Sequence, residues 1–572
     1  MNPASRSGPR GSNKKGANRE HQQRSVGCSP IKLAAVNWPR IDRLRLSALF
    51  RQRVVDQGLC RRIRIVRMKP GVTAVAVLTL ALGMGANTEA GDAAASPSDW
   101  PTASPEEVGL DSAPLVEMFE YARQHSVPVH SVQIVRHGRL ALDAYFYPYS
   151  AEMRHDVASV TKSITSTLVG LAIDQGFLRD VKQSVLTCLA DHAVAVLDDR
   201  KRKLTLEHLL TMQAGWDCGF EPKEARLLEM RRSPDWLQFM LDLPMVAEPG
   251  TRWAYCSGNP HVLSIILTKA TRTNALAFAR QALFEPLGIH DVRWPADPRG
   301  HNHGWGDLQL RPRDMAKLGQ LFLRQGRWRG RQVLSDTWIR TATSAHVERT
   351  VNRDHYGYLW WVKGEDYPGM FEAVGRGGQR INVWPAKDLV LVFTGGAFEP
   401  GDLAQFILKA LKSDQRLPSN RKDSARLQER IAAATRPPSP QPVAKLPAMA
   451  TRVSGRTFNL STNTLGLRAL TLEFLRPAEA RAEFLWNGSH VNCPLGLDGV
   501  ERFSTNPLVD LPQAGKGRWL GKDTFLLEVN LVGAINFYTL KLAFAESGET
   551  MNASLSERTG LNNEQLSGAV AP

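Results

Sequence analysis

The sequence predicts an α+β fold, a single antiparallel sheet flanked by helices, followed by a small all-β domain at the C-terminal end. Three observations predict it. Two β-rich runs, 131–136 (SVQIVR) and 139–145 (RLALDAY), flank His137 and Gly138, a hairpin signal. A largely helical stretch follows, and then three strand-like runs and a helix, so both ends of the segment complete one sheet. Beyond Gly455 the pattern changes to short alternating runs separated by turns, as in a small antiparallel sheet or barrel.

Taken in order, the first domain spans 96–415 and opens with the hairpin. A long helix is expected over 159–175, with Ile164, Leu168 and Leu171 on one face. Further helical segments fall at 205–212 and 260–270. The closing strands are expected at 370–374, 380–383 and 389–394, and the last helix at 403–412. Residues 416–450 are polar and proline-rich (TRPPSPQPVAKLP among them), the composition of a linker. Residues 451–572 carry the β-rich runs, at 469–474, 482–486, 524–529 and 536–543, with a disordered tail expected after about residue 555. No catalytic constellation falls there.

A chain of 572 residues exceeds what one core serves, consistent with two domains. Apolar content of 43% and charged content of 22% are ordinary for globular protein. The net charge of +16 is unevenly spread. Residues 1–67 hold 16 Lys and Arg against 3 Asp and Glu, leaving only +3 for the rest. A nucleic-acid-binding protein places its basic surface on the folded domain, so this distribution argues against that class.

The basic leader, 1–67, runs into a targeting signal at 68–95. Arg61, Arg62, Arg64, Arg67 and Lys69 precede the apolar run 72–86 (VTAVAVLTLALGMGA), and Ala93, Ala94 and Ala95 follow it. Charged, apolar and small-residue regions in this order describe a secretory signal. The run is short of the roughly 20 apolar residues a membrane span needs. A start at Met68 would give a signal of normal length and place 1–67 upstream of the protein. The stretch PGVTAVAVLTLALGMGANT is also similar to the first transmembrane segment of macrolide-exporter-like permeases, a likeness that stops at Glu89. Either reading sends the following domain across a membrane, to be periplasmic or secreted, or anchored by residues 70–88. Six cysteines, at 28, 60, 188, 218, 256 and 493, form no C-x-x-C pair, and export would permit a disulfide among them.

Ser159 and Lys162 form an S-x-x-K motif at the start of the long helix. Three residues apart on a helix, the two side chains share a face, so the amine can reach the hydroxyl. A serine at a helix N-terminus also sits where free N–H groups stabilise developing negative charge. A lysine serves as a base where burial or a neighbouring cation favours its neutral form.

The segment 156–163 (DVASVTKS) resembles the nucleophile segment of class C β-lactamases, their esterase relatives and 6-aminohexanoate-oligomer hydrolases. Residues 248–259 (EPGTRWAYCSGN) resemble a second segment of the same group. Further matches are 204–217 (LTLEHLLTMQAGWD), 310–319 (LRPRDMAKLG) and 356–362 (YGYLWWV), in the family's order over about 100–412. The resemblance implies a β-lactamase/transpeptidase-like fold and acyl transfer to water. Ser159 would be the nucleophile, Lys162 its base and Tyr255 a second base or proton shuttle. It implies no cofactor and a small ester, amide or peptide-like substrate. His208 would be a core or capping histidine and Asp314 a helix cap.

The third family element departs from the pattern. Where β-lactamases carry Lys-Thr-Gly, this chain has Ala373, Val374 and Gly375. The run Gly375-Arg376-Gly377-Gly378-Gln379 is similar to the G-x-G-G-Q of esterase and amidase relatives. Its glycines would let the strand approach substrate and offer a backbone N–H to the oxyanion beside that of Ser159. Ser257 stands where β-lactamases have Asn, with Asn259 two residues later. Other readings compete. A silent cell-wall-binding protein of the same fold is one. A metal site at His301, His303 and Asp307 is another, and Cys256 as nucleophile a third, with no recognisable His partner. No G-x-S-x-G elbow occurs, against an α/β-hydrolase.

Overall fold

The hairpin strands β1 (Val129–Arg136) and β2 (Arg139–Tyr145) stand at one end of an eight-stranded antiparallel sheet. Strand β1 pairs with β2 on one side and, on the other, with the last strand of the domain. With β3 (Val347–Glu348), β4 (His355–Tyr356), β5 (Trp361–Val362), β6 (Phe371–Gly375), β7 (Gln379–Trp384) and β8 (Leu389–Gly395), the order is β2-β1-β8-β7-β6-β5-β4-β3. Val132 faces Phe393 and Ile134 faces Leu391 across the junction of the two ends. A computed structural model describes residues 100–219, 224–348 and 354–571 of the chain, all within one compact unit that spans 93–572. The leader and the export signal expected before residue 96 lie outside the described residues. Among the described residues no helix is long and apolar enough to cross a membrane.

Alternation along β8 covers both faces of the sheet, since successive side chains point opposite ways. Leu391 and Phe393 pack with helices α1 (Ser112–Gln124) and, late in the domain, α5 (Gly401–Ala410). Val390 and Val392 join the larger core on the other face, with α2 (Val160–Asp174), α3 (Gly258–Thr271) and α4 (Pro312–Leu323). Helix α2 is buried along its whole length from Val160 to Ala172, not on the single face the apolar spacing suggests. Several of its extra buried positions are hydroxyls with partners: Thr165 donates to Gly304 O at 2.8 Å and Ser163 to Leu359 O at 2.7 Å. His208 accepts from Thr205 N at 3.3 Å and so completes a capping box. Asp314 lies in the first turn of α4 and pairs with Lys317 at 2.8 Å, while the cap position belongs to Arg311.

Two expectations about order need correction. The segment 416–450 contains helix α6 (Arg421–Ala434), capped by Asn420, with Leu427 buried against α1 and Arg430 paired to Glu120 at 3.2 Å. Only one narrow apolar stripe holds it down, which is why its composition reads as linker. The proline-rich stretch 437–447 is irregular. The expected tail is also structured, because Asn563–Val570 is a strand paired on both sides, to Thr457–Leu460 and Thr550–Glu557. Leu566 is its one buried large side chain, with Val570 packed at the end, too little apolar alternation for the sequence to announce.

The C-terminal unit is a barrel. Its ten-stranded sheet closes through a short parallel pairing of Leu495 with Gly515. Phe525, Leu527 and Val529 from one strand interdigitate inside with Leu540 and Leu542 from the next. The loop between those strands, residues 532–536, turns outward and meets the first domain, where Gly533 O accepts from Asp156 N at 2.6 Å.

Candidate active site

The approach to Ser159 is a tight turn. Asp156 accepts from Ala158 N at 2.8 Å, and Ala158 takes a left-handed conformation at φ 47°, which costs a residue with a Cβ about 1–3 kcal/mol. The turn delivers Ser159 to the N-cap of α2, yet its hydroxyl makes no capping bond. Instead Ser159 Oγ accepts from Lys162 Nζ at 2.8 Å. The same Nζ donates to Trp305 O at 2.9 Å, and Lys162 is 2% exposed. Nζ also lies 4.9 Å from the ring centroid of Tyr255, within cation–π reach. Ser159, Lys162 and Tyr255 therefore converge, from one helix and one distant loop.

The Tyr255 ring sits half-buried beside Trp361, with centroids 6.1 Å apart. Its backbone neighbour Cys256 is disulfide-bonded to Cys218, so it is no free thiol nucleophile. Ser257 stands at the N-cap position of α3 without a capping bond and donates to Glu224 at 2.9 Å, which brings a carboxylate to this rim. Asn259, two residues further on, is buried with its amide on the Met212 sulfur at 3.7 Å.

Strand β6 ends against the nucleophile turn. A Cβ at Gly375 would lie 2.5 Å from Val157 O and 3.2 Å from the Ala158 Cβ, so only glycine permits this approach. Gly375, Arg376, Gly377 and Gly378 then form the β6–β7 turn, with Gly377 at φ 81°. Gln379 is fully buried and braces this turn, donating to Arg376 O at 3.1 Å and Gly395 O at 2.6 Å. Arg376 points to the barrel, donating to Thr559 Oγ1 at 2.6 Å and lying 3.8 Å from the buried Glu557. Arg380 donates to Gly375 O and Gln379 O, each at 3.1 Å.

Sequence reasoning missed the loop that serves Lys162. Residues 302–307 are pegged to buried helices, through Thr165 on Gly304 O and Ser264 on Asn302 O at 2.8 Å. Within it, His303 stacks on Trp305 and bonds Asp307 at 2.7 Å. The signal available was the density of hydroxyls in 161–167 (TKSITST), unusual for a buried helix. Burial, and then the charge of Asp307, push the Asp156 carboxyl up to about 7, against the pull of the Ala158 N–H and Arg376. Burial works on Asp307 in the same direction, but its bond to His303, with Arg231 and Arg376 nearby, holds it below the usual carboxylate range. Among the described residues, no group of three or more His, Cys, Asp or Glu could hold a metal ion.

A helix-borne Ser–Lys pair with a converging tyrosine, set between a helical region and the glycine end of an antiparallel strand, defines a hydrolase of the β-lactamase type. The Beta-lactamase family model matches residues 113–411, just over half of the chain, and the chain belongs to that family. It is 24% identical over 281 residues to the 6-aminohexanoate-dimer hydrolase of Paenarthrobacter ureafaciens, covering 45% of this chain and 70% of that one. An uncharacterized protein of Alkalihalophilus pseudofirmus is 23% identical over 308 residues, covering 47% and 84%. Among solved structures, the octameric penicillin-binding protein homologue from Pyrococcus abyssi aligns at 15% identity and TM-score 0.43, covering 79% of this chain and 99% of that one.

Proposed function

We propose that this protein hydrolyses a small ester or amide through an acyl-enzyme on Ser159. The observation that carries the reading is the 2.8 Å contact between Lys162 Nζ and a Ser159 hydroxyl free of capping duty. Lys162, assisted by Tyr255, takes the proton as Ser159 Oγ attacks the carbonyl carbon. The oxyanion is held by the Ser159 N–H and a backbone N–H at the end of β6. Collapse of the tetrahedral intermediate expels the alcohol or amine, which leaves with that proton. Water then attacks the acyl-enzyme with the same base, and Ser159 is regenerated. The similarity to a 6-aminohexanoate-dimer hydrolase supports including short amides among the substrates.

We also infer an exported protein, a reading supported by the 68–95 signal pattern and by the Cys218–Cys256 disulfide, a bond that oxidising compartments favour. Mass spectrometry of exported protein should find a mature N-terminus between about Ala86 and Trp100. The catalytic reading is tested by fluorophosphonate labelling, followed by peptide mapping and a screen of p-nitrophenyl esters, short amides and nitrocefin. Adduct on Ser159 and turnover of an ester or amide support it. A folded protein that takes no label at Ser159 and turns over none of these defeats it.

A further inference from the structure

The barrel touches the catalytic domain at the two turns that catalysis uses. Gly533 O accepts from Asp156 N at 2.6 Å, three residues before the nucleophile. Two residues on, the 2%-exposed Ile535 covers the other turn: a Cβ at Gly377 would lie 2.4 Å from Ile535 Cγ2. A second tether holds the same turn, since Arg376 donates to Thr559 Oγ1 at 2.6 Å and faces Glu557 at 3.8 Å. Glu557 has a fully buried side chain, and Thr559 donates to its other oxygen at 2.5 Å. A buried carboxylate without its cation is strongly destabilised, so this contact resists sliding.

We propose that Ile535 and Thr559 are positioning residues of the catalytic site, through which the barrel fixes the β6–β7 turn against the nucleophile turn. The inference rests on the acyl-enzyme reading above, in which the end of β6 supplies an oxyanion donor. An N–H that must meet a charge present only in the transition state acts on kcat and not on ground-state binding. Loosening it by a fraction of an ångström therefore lowers kcat with KM nearly unchanged, and a misplacement of about 1 Å can cost about 10²-fold. Nothing in this role requires Ile535 or Thr559 to touch substrate.

The test uses the full chain and a p-nitrophenyl ester, with kcat expressed per serine titrated by fluorophosphonate, so that partly unfolded protein does not count. Ile535→Ala should lower kcat about tenfold or more with KM within about twofold. Ile535→Val keeps the Cγ2 that covers Gly377 and should recover most of the loss. Thr559→Val is isosteric, removes the Arg376 contact and should lower kcat in the same way; it decides the question alone if Ile535→Ala does not fold. Folded Ile535→Ala and Thr559→Val proteins that keep kcat within twofold, or change KM alone, overturn the proposal. A parent protein that takes no label at Ser159 overturns the acyl-enzyme reading itself, and this inference with it.

Discussion

Cys218 is bonded to Cys256, the residue between Tyr255 and Ser257. The bridge spans 38 residues and pins the loop before α3 at the residue that follows the tyrosine near Lys162. Closing a loop of that length removes denatured-state entropy worth about 3–4 kcal/mol. Reductant should lower the thermal midpoint and the ester hydrolysis rate together. Cys218→Ser should start at the lower values and not respond to reductant. Parallel melts and assays with and without dithiothreitol check this.

Ser159→Ala should abolish turnover while leaving the melting curve near that of the parent, since only a half-buried hydroxyl is removed. Lys162→Ala should lose activity almost as completely, because nucleophile and base act as a unit. Tyr255→Phe should lower the rate by about 10²–10⁴-fold, the usual contribution of a positioned acid–base group. Steady-state kinetics on an ester settle all three, and an active Ser159→Ala protein would remove the mechanism.

The Asp156 carboxyl, pushed up to about 7, gives a pH signature with a definite sign. Its unfolded value is about 3.9, so between about pH 4 and 7 the native state binds the extra proton. Stability from this group is present at low pH and lost as pH rises through 7. Asp156→Asn keeps an acceptor for Ala158 N and has no charge to bury. Denaturation at a series of pH values should show the variant gaining on the parent from about pH 4 to 7, then a constant difference above.

Penicillins and cephalosporins should be poor substrates beside small esters. Ala373 and Val374 offer their carboxylate neither cation nor hydroxyl, and Ala373 is fully buried in the core with α2. Arg376 is committed to Thr559 and Glu557, and Arg380 to two carbonyls, Glu372 and Glu399. A carboxylate desolvated without a partner loses binding by orders of magnitude. The kcat/KM for nitrocefin should fall at least about 10²-fold below that of the best p-nitrophenyl ester; comparable values would refute the argument. Because residue 373 points into the core, placing a lysine there would bury an ammonium group, so Lys-Thr at 373–374 is no clean route to β-lactam turnover.

Local chemistry made much of this legible. The hairpin at 131–145, the strands near 371, 380 and 389 and the closing helix follow from apolar periodicity, and the structure places them within a few residues. The S-x-x-K spacing was readable because helix geometry alone brings Lys162 to Ser159. What stayed hidden depends on contacts far apart in sequence. Trp305 O meets Lys162 across 143 residues, and Arg376 meets Thr559 across 183. Neither pairing leaves a periodic trace. Helix α6 and the strand Asn563–Val570 were obscured for another reason: each is held by few apolar residues, so composition outweighed pattern.

Ser131 and Thr394, hydrogen-bonded at 2.8 Å, stand 263 positions apart, and the Asp156 amide waits for a carbonyl at 533. A ribosome releasing this chain from its N-terminus at about 5–20 residues per second would finish the nucleophile helix long before its partners exist. Such remote pairing also makes for slow folding, because loop closure must precede any reward. On the acyl-enzyme reading, a nascent chain is therefore expected to carry Ser159 without the framework that aims it until the strand at 389–395 and the loop at 532–536 have emerged.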